Sequence, residues 1–188
     1  SRDPKVGIIT IEVARPDFPV VDRERLADTD ILAARKGFYV IKDFDKSLPK
    51  QGYVVVQGSS STNGLIAILD QIISEKINVK IVSAISEELF NRQSEEYRQS
   101  VLPPESYYDM MIISTGTKRM WPVSNVGPLT EKYSLISDWD NQWLSGGSES
   151  EVIKEAHLDE DTIYNSVKKF ALEHEDRINI QSSYLSST

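Results

Sequence analysis

The residue best placed for chemistry in this sequence is Arg15. It follows an apolar run that ends at Val13, and it precedes Pro16. A residue before proline is restricted to extended backbone, so Arg15 would project from the end of a strand. A guanidinium there can bind a phosphate through two parallel hydrogen bonds. An exposed linker arginine is the commoner explanation of such a residue, so its position alone assigns no phosphate site.

A second candidate is the segment 58–63, Gly-Ser-Ser-Ser-Thr-Asn, which joins a predicted strand to a predicted helix. Free backbone N–H groups at a helix N-terminus can hold an anion. The segment lacks the lysine of a phosphate-binding Walker loop, and it lacks the second and third glycines of a dinucleotide fingerprint. The composition therefore predicts an ordinary capped turn.

The remaining reactive side chains form no recognisable catalytic set. His157 and His174 are not at metal-ligand spacing, and His157 follows a helix whose C-terminus favours a positive charge. No Gly-x-Ser-x-Gly nucleophile motif occurs. Two acidic pairs, 87–88 and 95–96, lie on a helix with an apolar opposite face, so they predict a solvated surface.

The loop 117–121, Thr-Lys-Arg-Met-Trp, combines basic and apolar side chains. Such a loop could bind a partner, or it could pack Trp121 against the sheet. The sequence leaves both interpretations open.

The composition limits the class of protein. The chain has 188 residues, 21 Lys and Arg against 29 Asp and Glu, a net charge of −8 and no cysteine. Without cysteine, disulfide scaffolds, thiol catalysis and Cys-ligated zinc are excluded. An acidic balance argues against nucleic-acid binding. No apolar stretch reaches membrane-spanning length and no signal peptide is evident, so we expect a cytoplasmic protein with a processed first residue.

Strand and helix patterns alternate along the chain. Short apolar runs predict strands at 37–42, 53–58, 79–84, 109–114 and 133–137, and a further run does so at 6–13. Helical spacing appears at 65–77, 86–100, 148–156 and 159–173. This alternation predicts an α/β fold with a mostly parallel sheet covered on both faces.

The order of the first strands can be inferred from their connection. About ten residues separate 37–42 from 53–58, which is too short for a helical crossover. We expect these two strands to be antiparallel neighbours, with the first at a sheet edge. After Glu173 the sequence is polar, and we expect a ragged tail.

Several segments together resemble the C-terminal region of transketolase, a thiamine-diphosphate enzyme. Residues 93–103 read Gln-Ser-Glu-Glu-Tyr-Arg-Gln-Ser-Val-Leu-Pro, similar to the family's Gln-x-x-x-Tyr-Arg-x-Ser-Val-Leu-Pro. Residues 36–41, Lys-Gly-Phe-Tyr-Val-Ile, resemble its Lys-Gly-Ala-Tyr-Val-Leu. Residues 145–155 are similar to its closing segment. The resemblance extends over 6–172 and is weakest across 104–143.

The resemblance implies a three-layer α/β/α domain around a five-stranded mixed sheet, with four strands parallel and one antiparallel. It also divides the chain. Residues 1–13 would be the last strand of a preceding pyrimidine-binding domain, 14–35 a linker, 36–174 the transketolase C-terminal-like domain, and 175–188 a polar tail.

In that family the cofactor thiamine diphosphate, its divalent metal (Mg or Ca) and the activating glutamate belong to two preceding domains. The resemblance therefore implies no catalytic, cofactor-binding or metal-binding residue in this fragment. The family's preceding domain ends in a strand followed by Ser-Arg-Gln, whose arginine binds the substrate phosphate. Arg15 matches that arginine, with Ala14 and Pro16 as its neighbours, so the resemblance implies substrate-phosphate binding by Arg15.

The resemblance thus implies a non-catalytic domain of a transketolase-like ketol transferase of the pentose phosphate pathway. It would contribute stability and dimer contacts, and the isolated chain would be inactive. Its partners would be the preceding domains, a second copy and sugar phosphates. Alternatives are the C-terminal domain of a homodimeric pyruvate-dehydrogenase first component or of a phosphoketolase, or a stand-alone interaction module. Tyr97 and Arg98 favour transketolase.

Overall fold

Five strands form one sheet in the computed structural model. The model describes residue 17 and residues 20–123, 126–137 and 146–186, without the side chains of Arg119 and residues 184–186. The strands are β1 (Phe38–Lys42), β2 (Tyr53–Gln57), β3 (Lys80–Ala84), β4 (Met110–Ser114) and β5 (Leu135–Ile136). The strand predicted at 6–13 lies outside the described residues.

The strand order in the sheet is β1-β3-β2-β4-β5. β1 runs antiparallel to β3, and the other neighbours are parallel. The predicted five-stranded mixed sheet, with one antiparallel strand, is therefore confirmed.

The predicted pairing of the first two strands is wrong, because β3 lies between them. Asn78, which is buried just before β3, explains how the chain passes. Its amide nitrogen donates to the carbonyl oxygens of Asp45 at 3.0 Å, Leu48 at 3.1 Å and Pro49 at 3.0 Å. These bonds fix the loop after β1 across the start of β3. Because neighbouring strands lie about 5 Å apart, the loop has to cross only about 10 Å to reach β2 on the far side of β3.

Helices cover both faces of the sheet, as predicted for three layers. They are α1 (Ser59–Ala67), α2 (Leu69–Ser74), α3 (Glu87–Asn91), α4 (Glu95–Val101), α5 (Thr130–Tyr133), α6 (Glu149–Glu155), α7 (Glu160–Leu172) and α8 (His174–Ser186). One core holds apolar side chains of α1, α2, α5 and α7 against the sheet. The other holds Phe90 of α3 and Val101 of α4.

Two helices predicted as single are each divided. The stretch 65–77 covers the end of α1 and all of α2, which are separated at Ile68, where φ is −91° and ψ is 1°, and it runs three residues past the end of α2. The stretch 86–100 is divided because it contains two N-caps. Ser86 Oγ accepts from the Leu89 N–H, and Ser94 Oγ accepts from the Tyr97 N–H, so α4 begins anew.

The second half of the expected linker packs on the domain. Leu26 is buried in the core of α1 and α2. The N–H of Ala27 donates to the Ile41 carbonyl at 2.8 Å, and that of Asp28 donates to the Val40 carbonyl at 3.1 Å. These bonds cover the outer edge of β1, which would otherwise be open to pairing with another strand.

The expected ragged tail is instead a helix. α8 continues from α7 after a bend at Glu173, and its buried side chains are Arg177 and Gln181. The polar composition concealed this helix because its contacts with the domain are polar. None of the helices in the described ranges is long and apolar enough to cross a bilayer.

Candidate functional site

The carboxyl edge of the sheet is where a ligand site is expected in this type of fold. In open α/β sheets, ligands bind outside the carboxyl ends of strands where the strand order reverses. Here that point is the β2/β4 boundary, since β3 follows β2 on one side and β4 lies on the other. Gln57 and Ser114 end the two strands.

Side chains of the domain itself fill this crevice. Ser114 Oγ donates to Gln57 Oε1 at 2.8 Å, and the Gly116 N–H donates to Ser114 Oγ at 2.9 Å. Gly58 has φ of +92°, and a Cβ there would lie 2.1 Å from Thr115 Oγ1. The strand ends are therefore bonded to each other, and Thr115 packs directly on the turn that follows β2.

The turn before α1 is a simple strand-to-helix turn, but it is not side-chain capped as the sequence predicts. The N-cap is Gly58, and no side-chain cap bond is present. Ser61 Oγ is buried without a hydrogen-bond partner. Because Ser61 lies one turn before the buried Leu65, it faces the sheet and not the end of the helix.

Arg15 lies outside the described residues, so its predicted phosphate contact stays a prediction. The first described element after Arg15 is the short 3₁₀ helix Arg23–Arg25, whose N-cap is Asp22. Seven residues of extended chain span at most about 25 Å. A phosphate bound by Arg15 must therefore lie within that reach of Asp22, plus the length of the arginine side chain.

Among the described residues, neither histidine lies in a group of metal-ligating side chains. His157 ends α6 with φ of +55°, and its N–H donates to the Lys154 carbonyl at 3.1 Å. His174 Nδ1 lies 2.9 Å from Asp109 Oδ2. Within the described ranges, no group of three His, Cys, Asp or Glu side chains could hold a metal ion.

The acidic pairs on α3 and α4 lie on a surface, as their spacing predicts. Glu88 forms an i,i+4 ion pair with Arg92 at 2.6 Å. Glu95 Oε1 accepts from Gln99 Nε2 at 2.9 Å. These are helix-surface contacts, and they offer no paired acid and base for catalysis.

The loop 117–121 does pack its aromatic side chain against the sheet. Trp121 lies against the core of α3 and α4, and its indole Nε1 is buried without a partner. Lys118 forms an ion pair with Glu131, so it is already neutralised. Met120 is 53% exposed.

A groove of about 610 Å³ with both polar and apolar lining lies between α3 and the 3₁₀ helix Pro104–Tyr108. Stacked rings of Phe38 and Phe90, 4.4 Å apart, form part of its wall. Glu87 and Asn91 are its polar contributors from α3. The groove has no acid–base pair, so its lining suits packing more than chemistry.

Sequence reasoning missed a buried charged cluster at the amino edge of the sheet. Arg177 is fully buried, and its Nη2 and Nε lie 2.7 and 2.8 Å from Asp109 Oδ1. Nη1 donates to the Phe170 carbonyl oxygen, and Nη2 donates in addition to the Gln51 carbonyl oxygen at 3.2 Å. The guanidinium also lies 3.6 Å from the centre of the Phe170 ring. This cluster attaches α8 to the start of β4.

The spacing of buried residues along α7 and α8 does indicate this cluster in the sequence. The buried face of α7 continues into α8 at intervals of three and four residues. The positions are Ile163, Val167, Phe170, His174, Arg177 and Gln181. Polar residues occupy the last three, so an apolar-periodicity test ends the helix too early.

Two further titratable groups lie near the amino edge of the sheet. Burial lowers the pKa of Lys42, whose Nζ donates to the Val79 carbonyl at 2.9 Å. Burial also raises the pKa of Tyr53, and the Glu105 carboxylate raises it further. Both groups are held by hydrogen bonds within the fold, which gives them a structural role.

Comparison with known families agrees with the motifs. The family model of the transketolase-like TK C-terminal domain matches residues 37–128. A chloroplastic transketolase of Zea mays is 36% identical over 93 residues, which are 47% of this chain and 14% of that protein. A transketolase of Mycobacterium leprae is 26% identical over 158 residues, 81% of this chain and 22% of that protein.

Solved structures agree in fold. A transketolase from Leishmania mexicana superposes with a TM-score of 0.57 at 19% identity, over 79% of this chain and 20% of that one. A Pichia stipitis transketolase mutant, described as a complex with xylulose 5-phosphate, gives 0.55 at 21% identity, over 80% and 20%. The chain thus spans about a fifth of the length of these structures.

The order of the strands, the matched motifs and the family model converge on residues 37–128 and the sheet they build. Residues 37–128 therefore match the C-terminal domain of the transketolase family, as residues 36–41 and 93–103 predict.

Proposed function

We propose that this chain is the C-terminal, non-catalytic part of a transketolase-type enzyme. The whole enzyme would transfer a two-carbon ketol unit from a ketose phosphate to an aldose phosphate. The relatives named above are transketolases, which supports ketol transfer over the pyruvate-dehydrogenase and phosphoketolase alternatives.

One contact carries the domain assignment, because it joins the two segments that resemble the family. The Tyr97 hydroxyl, in the α4 motif, donates to the Phe38 carbonyl at 2.7 Å. Lys36 Nζ lies 4.6 Å from the centre of the Tyr97 ring. The motif residues thus hold α4 onto the antiparallel edge of the sheet, which gives their resemblance a physical basis.

The role of the chain in that enzyme would be structural. The described residues offer no metal-ligand group, and the crevice at Gly58 is filled. These observations support assigning thiamine diphosphate and its metal to preceding domains of the longer polypeptide. Stability of the whole enzyme and contacts in a homodimer are the contributions we propose. The pentose phosphate pathway and a cytoplasmic location stay predictions.

Arg15 is the residue that we propose contacts substrate. In the longer enzyme, Arg15→Ala should raise KM for phosphorylated substrates by about 10- to 100-fold, which is typical of losing one charged hydrogen-bonded contact. KM for an unphosphorylated ketose should not change, because that substrate lacks the phosphate. Steady-state kinetics with both substrates test this.

Arg23→Ala provides a matched control, since its guanidinium donates to the Asp30 carbonyl within the linker. An unchanged KM in the Arg15 variant would leave Arg15 as a plain linker residue.

A further inference from the structure

Exposed apolar side chains concentrate at one corner of the domain. Ile31 and Leu32 are 73% and 47% exposed, and Ile85 and Leu89 are 53% and 37% exposed. We call these four residues the corner patch. The other exposed large apolar side chains of the described residues are distributed over separate elements. They are Val20, Ile73, Tyr108, Met120, Leu172 and Ile178.

The two halves of the corner patch lie next to each other at Gly37. The Gly37 carbonyl accepts from the Ile85 N–H at 2.8 Å. A Cβ on Gly37 would lie 3.0 Å from the carbonyl carbon of Leu89. The 3₁₀ helix Ala33–Lys36 rises about 2 Å per residue, so Leu32 lies about 10 Å from Gly37. The two halves of the patch are therefore carried by neighbouring elements.

The surroundings of the corner patch suit a protein partner. Arg35 and Glu88 are exposed beside it and carry opposite charges. An apolar centre with a charged, hydrated rim is the usual anatomy of a protein interface. Exposed apolar area of this kind is unfavourable in water until it is covered.

The path of the chain indicates which partner covers the patch. The segment from Asp22 onward follows the outer edge of β1 and arrives at Gly37. Val20, just before that segment, is 98% exposed. A preceding domain joined through this segment is held close to the corner at high effective concentration, which favours it over a free partner.

We infer that the corner patch is the surface on which the preceding part of a longer transketolase-type polypeptide packs. The inference rests on the proposed function, in which such a part exists. It adds the location of the contact: the corner where the 3₁₀ helix meets α3, at the carboxyl end of β3.

Thiol labelling tests this directly, because the chain contains no cysteine. Leu32→Cys and Ile85→Cys each place one thiol in the patch, and Leu172→Cys places one on exposed α7 as the control. Each variant is prepared in the isolated chain and in the longer polypeptide read from the same coding sequence. Labelling rates are measured by mass spectrometry of the peptide that carries the new thiol, and circular dichroism checks folding.

We expect at least tenfold slower labelling at positions 32 and 85 in the longer polypeptide than in the isolated chain, with no change at 172. Equal rates in both forms would overturn the inference. Slow labelling in the isolated chain that is relieved by dilution would also overturn it, since a second copy would then cover the patch. A longer polypeptide without ketol-transfer activity would contradict the proposed function instead, whatever the labelling rates.

Discussion

At the scale of single residues, the Arg177–Asp109 pair is a buried charged contact between distant parts of the chain. The guanidinium is fully buried, and it joins α8 to the residue that precedes β4. Removing one member of a buried ion pair leaves the other charge without compensation. The energetic cost of such a loss is much larger than that of losing an exposed pair.

Arg177→Met should therefore lower the free energy of unfolding by about 3–5 kcal/mol. Urea unfolding at neutral pH measures it. Arg92→Met is the matched control, because Arg92 pairs with Glu88 on the surface, and it should cost less than about 1 kcal/mol. Adding Asp109→Asn to Arg177→Met should recover part of the loss by removing the unpaired charge. Similar losses of stability in Arg177→Met and Arg92→Met would contradict the conclusion that burial makes the Arg177–Asp109 pair the stronger contact.

Asp159 provides a pH-dependent prediction. Burial raises the pKa of this carboxyl, but the Thr162 hydroxyl and N–H donate to it and lower the pKa by more, so the net shift is downward. A carboxyl whose pKa is lower in the folded state than in the unfolded state stabilises the folded state. This contribution is fully present at pH values above the unfolded pKa, which is near 4. That contribution is lost as the pH falls through the folded pKa.

Asp159→Ala should lower the free energy of unfolding by about 1 kcal/mol at pH 7, because it removes the N-cap of α7. Urea unfolding of wild type and variant between pH 7 and pH ~3 should show the difference shrinking as the pH falls. Asp161→Ala, in the same helical turn but exposed, is the control. A difference that stays constant with pH would refute the role of the charge.

At the scale of elements, the contact between α4 and β1 explains why the family motif has its form. The Tyr97 hydroxyl is bonded to the Phe38 carbonyl, and the Tyr97 ring packs edge-on against Phe90. Tyr97→Phe keeps the ring and removes the hydrogen bond, so the free energy of unfolding should fall by about 1 kcal/mol. Tyr108→Phe, on an exposed ring, should have little effect. If urea unfolding gave the same loss of stability for Tyr97→Phe and Tyr108→Phe, the Tyr97–Phe38 hydrogen bond would not explain the motif.

The elements that apolar spacing defines could be predicted from the sequence, but which strands lie next to each other in the sheet could not. The runs that became β2, β3 and β4 are almost wholly buried, so their composition is decisive. The position of β1 beyond β3 depends on the Asn78 amide and the backbone carbonyls of the loop after β1. A polar anchor of this kind has no apolar period, and connection length alone favours the wrong neighbour.

The same limitation applies to the two ends of the domain. α8 docks through Arg177 and Gln181, and the segment after Asp22 docks through backbone N–H groups together with the isolated apolar residues Leu26 and Ala33. Polar contacts of both kinds are indistinguishable from solvated sequence until the fold is known. At the candidate site, the glycine turn was visible at position 58, but its closure by Thr115 was not.

At the scale of the whole molecule, both edges of the sheet are filled by the domain's own side chains, and exposed apolar side chains concentrate at one corner. The crevice at the carboxyl edge is filled by Gln57, Ser114 and Thr115. The amino edge is closed by α8 through Arg177. The exposed corner patch lies where the linker joins the sheet. These features are consistent with the structural role proposed above, in which the domain supports neighbouring parts of a longer enzyme.

The most direct test of this account is a ketol-transfer assay on two forms of the protein. One is the isolated chain of 188 residues, and the other is the continuous polypeptide that its coding sequence specifies. Both receive thiamine diphosphate, a divalent metal, a ketose phosphate and an aldose phosphate. The account predicts turnover by the longer polypeptide and none by the isolated chain. Turnover by the isolated chain would contradict it, because a complete catalytic centre would then lie within these residues.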